Sequence, residues 1–269
     1  MSKGAHADAK PGFPDAFVAR WLDDALAHEA RVYGISGLQG SGKSTLAAQV
    51  ARLAGERGIH AVVLSLDDCY LDHDERARLA RDVHPLLATR GPPGTHDMAL
   101  AVHVLDALRR GEPVDVPRFD KLADNKRARP DWPRVDGAGL VLFEGWFLGT
   151  PAQPAGALAE PVNALERDED PDGRWRRWCN DALDRAYPAL WSRIDRLLLL
   201  QAPGFDIVPR WRWQQEQSLQ AGQPGRRSMD RAQVERFVQF FERTSRQALR
   251  TLPAIADAVA PLDESRRPL

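Results

Sequence analysis

Short continuous apolar runs alternate along this chain with longer stretches in which apolar side chains recur every three or four positions. Residues 13–29 show the helical period, with Phe17, Trp21, Leu22 and Leu26 on the face expected to turn inward. Arg-Val-Tyr-Gly-Ile-Ser (31–36) then reads as a buried strand. Leu46, Val50 and Leu53 carry a second helix that Gly58 closes. A strand is expected at 61–66, ending on Asp67-Asp68. The charged stretch 70–96 holds one short helix near 75–88. Residues 97–110 form a clear helix with Leu100, Val104 and Leu108 on its apolar face, and Gly111 stops it. From 113 to 134 the chain is polar, punctuated by Pro and Asp/Asn, without helical period. Further strands are expected at 140–143, running into Glu144-Gly145-Trp146, at 197–200 and near 255–259. A long helix at 229–249 turns Val234, Phe237, Val238 and Phe241 inward. Apolar runs separated by helices predict a mostly parallel sheet covered on both faces.

Composition narrows the partners. With 37 basic and 38 acidic residues in 269, no domain-scale charge bias points to nucleic acid. No apolar run reaches membrane-spanning length. Residues 1–14 are polar and small, without the apolar core of a secretory signal. The two cysteines, Cys69 and Cys179, make neither a metal set nor a disulfide framework, so a reducing cytoplasm is expected.

The strongest local signal is Gly37-Leu38-Gln39-Gly40-Ser41-Gly42-Lys43-Ser44, followed by Thr45. It has the form GxxxxGK[ST] and sits between a strand and a helix, the context a triphosphate cradle needs. Backbone N–H groups from Gly40 to Lys43 and the helix dipole supply positive potential. Lys43 is expected on the β and γ phosphates of ATP, and the Ser44 hydroxyl on Mg²⁺. In a doubly wound sheet, loops at the carboxyl ends of the strands gather at one edge. Asp67, Asp68 and Glu144 all follow strands, so they are expected beside the P-loop. Asp67 is the candidate base or hydroxyl-orienting group, and Glu144 the candidate carboxylate near Mg²⁺. A guanine-nucleotide switch is disfavoured: Asn125-Lys126-Arg127-Ala128 lacks the terminal Asp of NKxD, and Asp136-Gly-Ala-Gly139 precedes a strand instead of ending one.

Five further segments complete a pattern: Ser65-Leu-Asp-Asp-Cys-Tyr70, Arg90-Gly-Pro-Pro-Gly-Thr-His-Asp97, Pro117-Arg-Phe-Asp-Lys121, Phe143-Glu-Gly-Trp146 and Trp211-Arg-Trp-Gln-Gln-Glu216. In this order they resemble the P-loop kinases of the uridine kinase, phosphoribulokinase and pantothenate kinase superfamily. Within it the chain is most similar to plant-type D-glycerate 3-kinases and their bacterial relatives. The resemblance implies a three-layer αβα P-loop fold with a small lid. It divides the chain into an N-terminal helical segment (1–30) and a kinase domain (31–269), with an excursion at 150–180 and a lid candidate at 205–228. It places Asp67 at the acceptor hydroxyl and Arg212, in the lid, at the transferring phosphoryl group. On the acceptor side it places Arg90, His96, Asp97, Asp120, Lys121 and Arg127, beside Asp68 as a further candidate from its strand-end position. Bland readings stand beside these: Asp97 is a natural helix N-cap, Asp120 and Lys121 can pair with each other, and Arg210, Arg212, Arg226 and Arg227 can be an exposed set. The segment 122–126, Leu-Ala-Asp-Asn-Lys, is shorter than the glycine-containing stretch of the plant-type pattern. The expected reaction is transfer of the γ-phosphoryl group of ATP to a small metabolite, D-glycerate by this resemblance. A pantothenate or nucleoside acceptor and a regulatory ATPase are the alternatives.

Overall fold

The computed structural model describes residues 12–222 and 229–269. Its helices are α1 (Asp15–Ala27), α2 (Lys43–Glu56), α3 (His73–Asp82), α4 (Met98–Arg110), α5 (Ala164–Glu169), α6 (Arg174–Arg185), α7 (Pro188–Trp191), α8 (Val208–Gly222) and α9 (Arg231–Ile255). Its strands are β1 (Val32–Gly37), β2 (Ala61–Ser65), β3 (Pro113–Asp115), β4 (Phe119–Asp120), β5 (Asn125–Lys126), β6 (Arg134–Asp136), β7 (Leu140–Gly145), β8 (Arg196–Gln201) and β9 (Ala258–Pro261).

Five strands form one parallel sheet in the order β2-β7-β1-β8-β9. The central β1 and β7 are buried at every position, which explains their continuous apolar runs. Alternate residues serve opposite faces. Tyr33, Ile35, Leu142 and Leu198 pack under α1 and α2. Val32, Val141, Phe143 and Leu197 pack under α4, α6, α7 and α9. Three layers result, as expected. Register then decides what meets at the carboxyl edge. Ser65 of β2 and Ile35 of β1 both lie opposite Glu144 of β7, so the three chain exits predicted to converge do so.

Local chemistry sets the element ends. Asp97 caps α4 by accepting the Leu100 N–H at 3.0 Å, and Gly111 ends it at φ 71°, a conformation glycine tolerates. The polar stretch after α4 folds into two short antiparallel ribbons, β3–β6 and β4–β5. Residues 150–180 contain α5 and the start of α6, tied to α9 through Asn163, whose side-chain amide donates to the Gln239 carbonyl.

Three boundaries differ from expectation. The inward face of α1 is Val18, Trp21, Leu22 and Ala25, whereas Leu26 is 40% exposed; one residue is a rotation of about 100°, enough to turn a side chain off the core stripe. The helix expected near 75–88 is split into α3 and a 3₁₀ turn at Pro85–Ala88, since a proline cannot supply the N–H that would continue it. Ile255 ends α9 at 49% exposure, and the last strand starts only at Ala258.

The α5–α9 contact contains a buried ion pair. Arg243 donates to both Glu166 oxygens at 2.7 and 2.6 Å and to the carbonyls of Ala157 and Glu160 at 2.8 and 2.7 Å. Removing one partner strands a charge in the interior. Arg243→Ala is expected to lower stability by about 3–5 kcal/mol, read from urea unfolding midpoints; a loss below about 1 kcal/mol would contradict the assignment.

Candidate active site

The P-loop joins β1 to α2, with Gly40 and Gly42 at φ 79° and 97°. These left-handed turns curl the backbone in the manner of an anion-binding nest, closed by the Ser41 N–H bond to the Leu38 carbonyl at 3.1 Å. Lys43 is only 8% exposed and donates to the Leu38 carbonyl at 3.2 Å. Burial lowers its pKa, while the nearby charges of Glu144 and Asp67 oppose that shift. Ser44 Oγ donates to Glu144 Oε1 at 2.8 Å. A hydroxyl and a carboxylate side by side are hard oxygen donors of the kind Mg²⁺ selects. The pairing of Ser44 with Glu144 is thus present geometrically.

Asp67 lies in the 3₁₀ turn that Ser65 caps after β2. Its Oδ1 accepts the Tyr70 hydroxyl at 2.7 Å and its Oδ2 the Lys121 ammonium at 2.6 Å. Burial alone would raise its pKa. The Lys121 charge and the two hydrogen bonds outweigh burial and hold the carboxyl well below its usual range. Lys121 is 55% exposed, arrives from the β4–β5 ribbon, and also feels Glu144 and Arg90. Asp67, Lys121, Lys43, Glu144 and Arg90 therefore share one electrostatic neighbourhood.

The other expected residues divide. Asp68 accepts the Phe119 N–H at 3.0 Å and Arg118 at 3.3 Å, anchoring the ribbon that carries Lys121; its pKa is raised, chiefly by burial. Arg90 pairs with Asp124 and lies over the Phe119 ring at 5.6 Å. Asp97 is the α4 cap and also accepts Lys126 at 3.1 Å. Asp120 does not pair with Lys121; it accepts the N–H groups of Leu122 and Ala123 and so shapes the turn. Arg127 lines an open cleft with Asp97, Leu100, His103, Arg129 and Trp132. Arg212, in α8, faces Gln215 and Glu216 and lies over Phe237 at 5.6 Å. The end of the lid candidate, with Arg226 and Arg227, lies outside the described residues.

His96 is buried against Tyr70, ring to ring at 4.7 Å. Its Nδ1 meets the Tyr187 hydroxyl at 2.7 Å, and that oxygen accepts the Gly94 N–H at 2.9 Å. Burial raises the Tyr187 pKa far above neutrality, so its hydroxyl stays protonated. Burial pushes His96 down to about 4, against the pull of Asp67. The ring is neutral at pH 7.

Tyr70, Arg118 and Tyr187 were not singled out by sequence reasoning. Tyr70 stands in a quoted segment, but nothing local shows its bond to Asp67; Tyr187 lies 91 residues from its partner His96. Arg76, also missed, is fully buried and joins Arg90 on Asp124 through a bond of 2.9 Å. The Lys121–Asp67 contact makes a prediction. Removing the cation raises the Asp67 pKa, so Lys121→Met is expected to move the acid limb of the kcat/KM profile to higher pH. An unmoved limb would show that Asp67 is not the titrating group.

No family model matches the chain. It is 33% identical over 222 residues to the uncharacterized kinase mug58 of Schizosaccharomyces pombe, covering 76% of this chain and 77% of that protein. It is 31% identical over 280 residues to the chloroplastic D-glycerate 3-kinase of Arabidopsis thaliana, covering 93% of this chain but 58% of that longer protein. The D-glycerate 3-kinase of Cryptococcus neoformans superposes with a TM-score of 0.73 at 25% identity, over 94% of this chain and 95% of the other. Sequence relatives and fold agree with the phosphate cradle and the carboxylates around it: the chain belongs to the P-loop kinase family that includes these enzymes.

Proposed function

We propose that the protein transfers the γ-phosphoryl group of ATP to a hydroxyl of D-glycerate. The observation that carries this reading is the half-buried Asp67 carboxylate, held on one oxygen by Tyr70 and shared on the other with Lys121, beside the P-loop. An acceptor that is itself a carboxylate competes for Lys121 and Arg90, and frees Asp67 for its hydroxyl. The similarity to D-glycerate 3-kinases names such an acceptor.

In this mechanism the acceptor oxygen attacks Pγ in line. The new O–P bond forms as the bond from Pγ to the β–γ bridging oxygen breaks, and ADP departs with that electron pair. Asp67 orients the hydroxyl and receives its proton. Lys43 leaves the Leu38 carbonyl for the β and γ oxygens, and the P-loop amides cradle them. Ser44 and Glu144 would hold Mg²⁺, which neutralises charge on those oxygens. Arg212, in α8, would meet the transferring phosphoryl group.

The test is Mg·ATP-dependent ADP release against D-glycerate, pantothenate and uridine, with an acceptor-free blank. Stimulation by D-glycerate alone is expected. Lys43→Ala should abolish turnover, and Asp67→Asn should lower kcat by about 10²–10⁴ while Mg·ATP binding stays. Stimulation by another acceptor keeps the kinase and discards glycerate. A high blank that no acceptor changes favours an ATPase.

A further inference from the structure

The tip of the P-loop is gripped from outside by two residues that lie far apart in sequence. Trp211 of α8 is fully buried, and a Cβ built on Gly40 would fall 2.8 Å from the Trp211 Cβ. Arg266, beyond β9, donates from Nε to the Gly40 carbonyl at 2.6 Å and from Nη2 to the Trp211 carbonyl at 3.4 Å. Its guanidinium also lies over the Trp211 ring at 5.1 Å, while Trp211 Nε1 donates to the Glu264 carbonyl at 2.8 Å.

Arg266 is held there against opposing forces. Its φ of 66° is a left-handed conformation that a side chain disfavours by roughly 1–2 kcal/mol. Burial and the like charge of Arg210 both oppose its cationic form. The turn is kept by Asp263, whose carbonyl accepts the Arg266 N–H and whose Oδ1 accepts the N–H groups of Ser265 and Arg267. The segment thus spends local stability to put a guanidinium on one loop carbonyl.

The consequence follows from peptide geometry. The Gly40 C=O and the Ser41 N–H belong to one rigid plane and point opposite ways. Fixing the oxygen fixes the plane, and with it the Ser41 N–H bond to Leu38 O at 3.1 Å that closes the loop. Glycine at this position has the freedom to flip. A loop pinned before the nucleotide arrives needs less ordering on binding.

We propose that Arg266 is a positioning residue of the nucleotide site, holding the Gly40–Ser41 peptide in the orientation that closes the P-loop and tying it to the first turns of α8. This rests on the reading that the loop binds Mg·ATP. Equilibrium binding of Mg·ATP to the purified full chain, with KM and kcat where turnover is seen, tests it. Arg266→Met, which keeps length and removes the donors, should weaken Mg·ATP binding about tenfold. The loss should fall on the ATP KM and not on the acceptor KM, and the melting temperature should stay within a few degrees of wild type. Arg266→Lys, which retains one donor for the Gly40 carbonyl, should recover most of the affinity. Wild-type binding by Arg266→Met would overturn the proposal, as would equal losses for both substrates with a collapsed melting temperature. Failure of the wild-type chain to bind Mg·ATP would remove the kinase reading itself.

Discussion

The hydrogen bond from Ser44 to Glu144 ties the first turn of α2 to the end of β7, and the rest of the site is arranged around it. It exists because β1 and β7 are parallel neighbours in a register that sets Ile35 opposite Glu144. β2, on the other side of β7, sets Ser65 opposite the same residue and delivers Asp67 two positions later. A slip of one residue in either pairing would turn the strand's side chains to the other face. Burial on both sides of β1 and β7 forbids such a slip, so the hydrophobic core fixes the polar geometry.

The acceptor side is built differently. Lys121 sits in the turn just after the two-residue strand β4 of a small ribbon. Its position depends on Asp68, whose half-buried carboxylate takes the Phe119 N–H and the Arg118 guanidinium. The adjacent carboxylates therefore divide the labour. Asp68 anchors the ribbon, and Asp67 meets the lysine that the ribbon presents. Their pKa values move in opposite directions: at Asp67 burial is outweighed by the Lys121 charge and two hydrogen bonds, whereas at Asp68 burial outweighs the Phe119 N–H and the Arg118 charge.

What was legible in the sequence follows this division. The P-loop, its flanking strand and helix, and the convergence of Asp67 and Glu144 are written in local spacing and a topological rule, and all appear in the structure. The Gly111 stop and the Asp97 cap are equally local. The pairings of Lys121 with Asp67 and of Tyr187 with His96, 54 and 91 residues apart, depend on how ribbon and helices dock. Arg266 spans 226 residues to reach Gly40. No periodicity encodes these contacts, because each is a single polar side chain at the end of a path set by tertiary packing. The misplaced Leu26 is a milder failure of the same kind: hydrophobicity alone does not say which of Ala25 and Leu26 faces the core.

A carboxylate whose pKa is held so low is a poor proton acceptor in the free protein. Phosphoryl transfer tolerates this, because a loose transition state develops little positive charge on the attacking hydroxyl until late, and catalysis rests on positioning and charge stabilisation. Lys121 supplies a further adjustment. While it contacts Asp67 it suppresses basicity; once an anionic acceptor draws it away, the carboxylate loses its strongest cation and its pKa rises. If Asp67 is the base proposed above, the arrival of an anionic substrate strengthens it. Tyr70 stays on the other oxygen and keeps the carboxylate aimed. On the proposed reading, an acceptor without an anionic group leaves Lys121 on Asp67, and the ion pair then disfavours neutral alcohols.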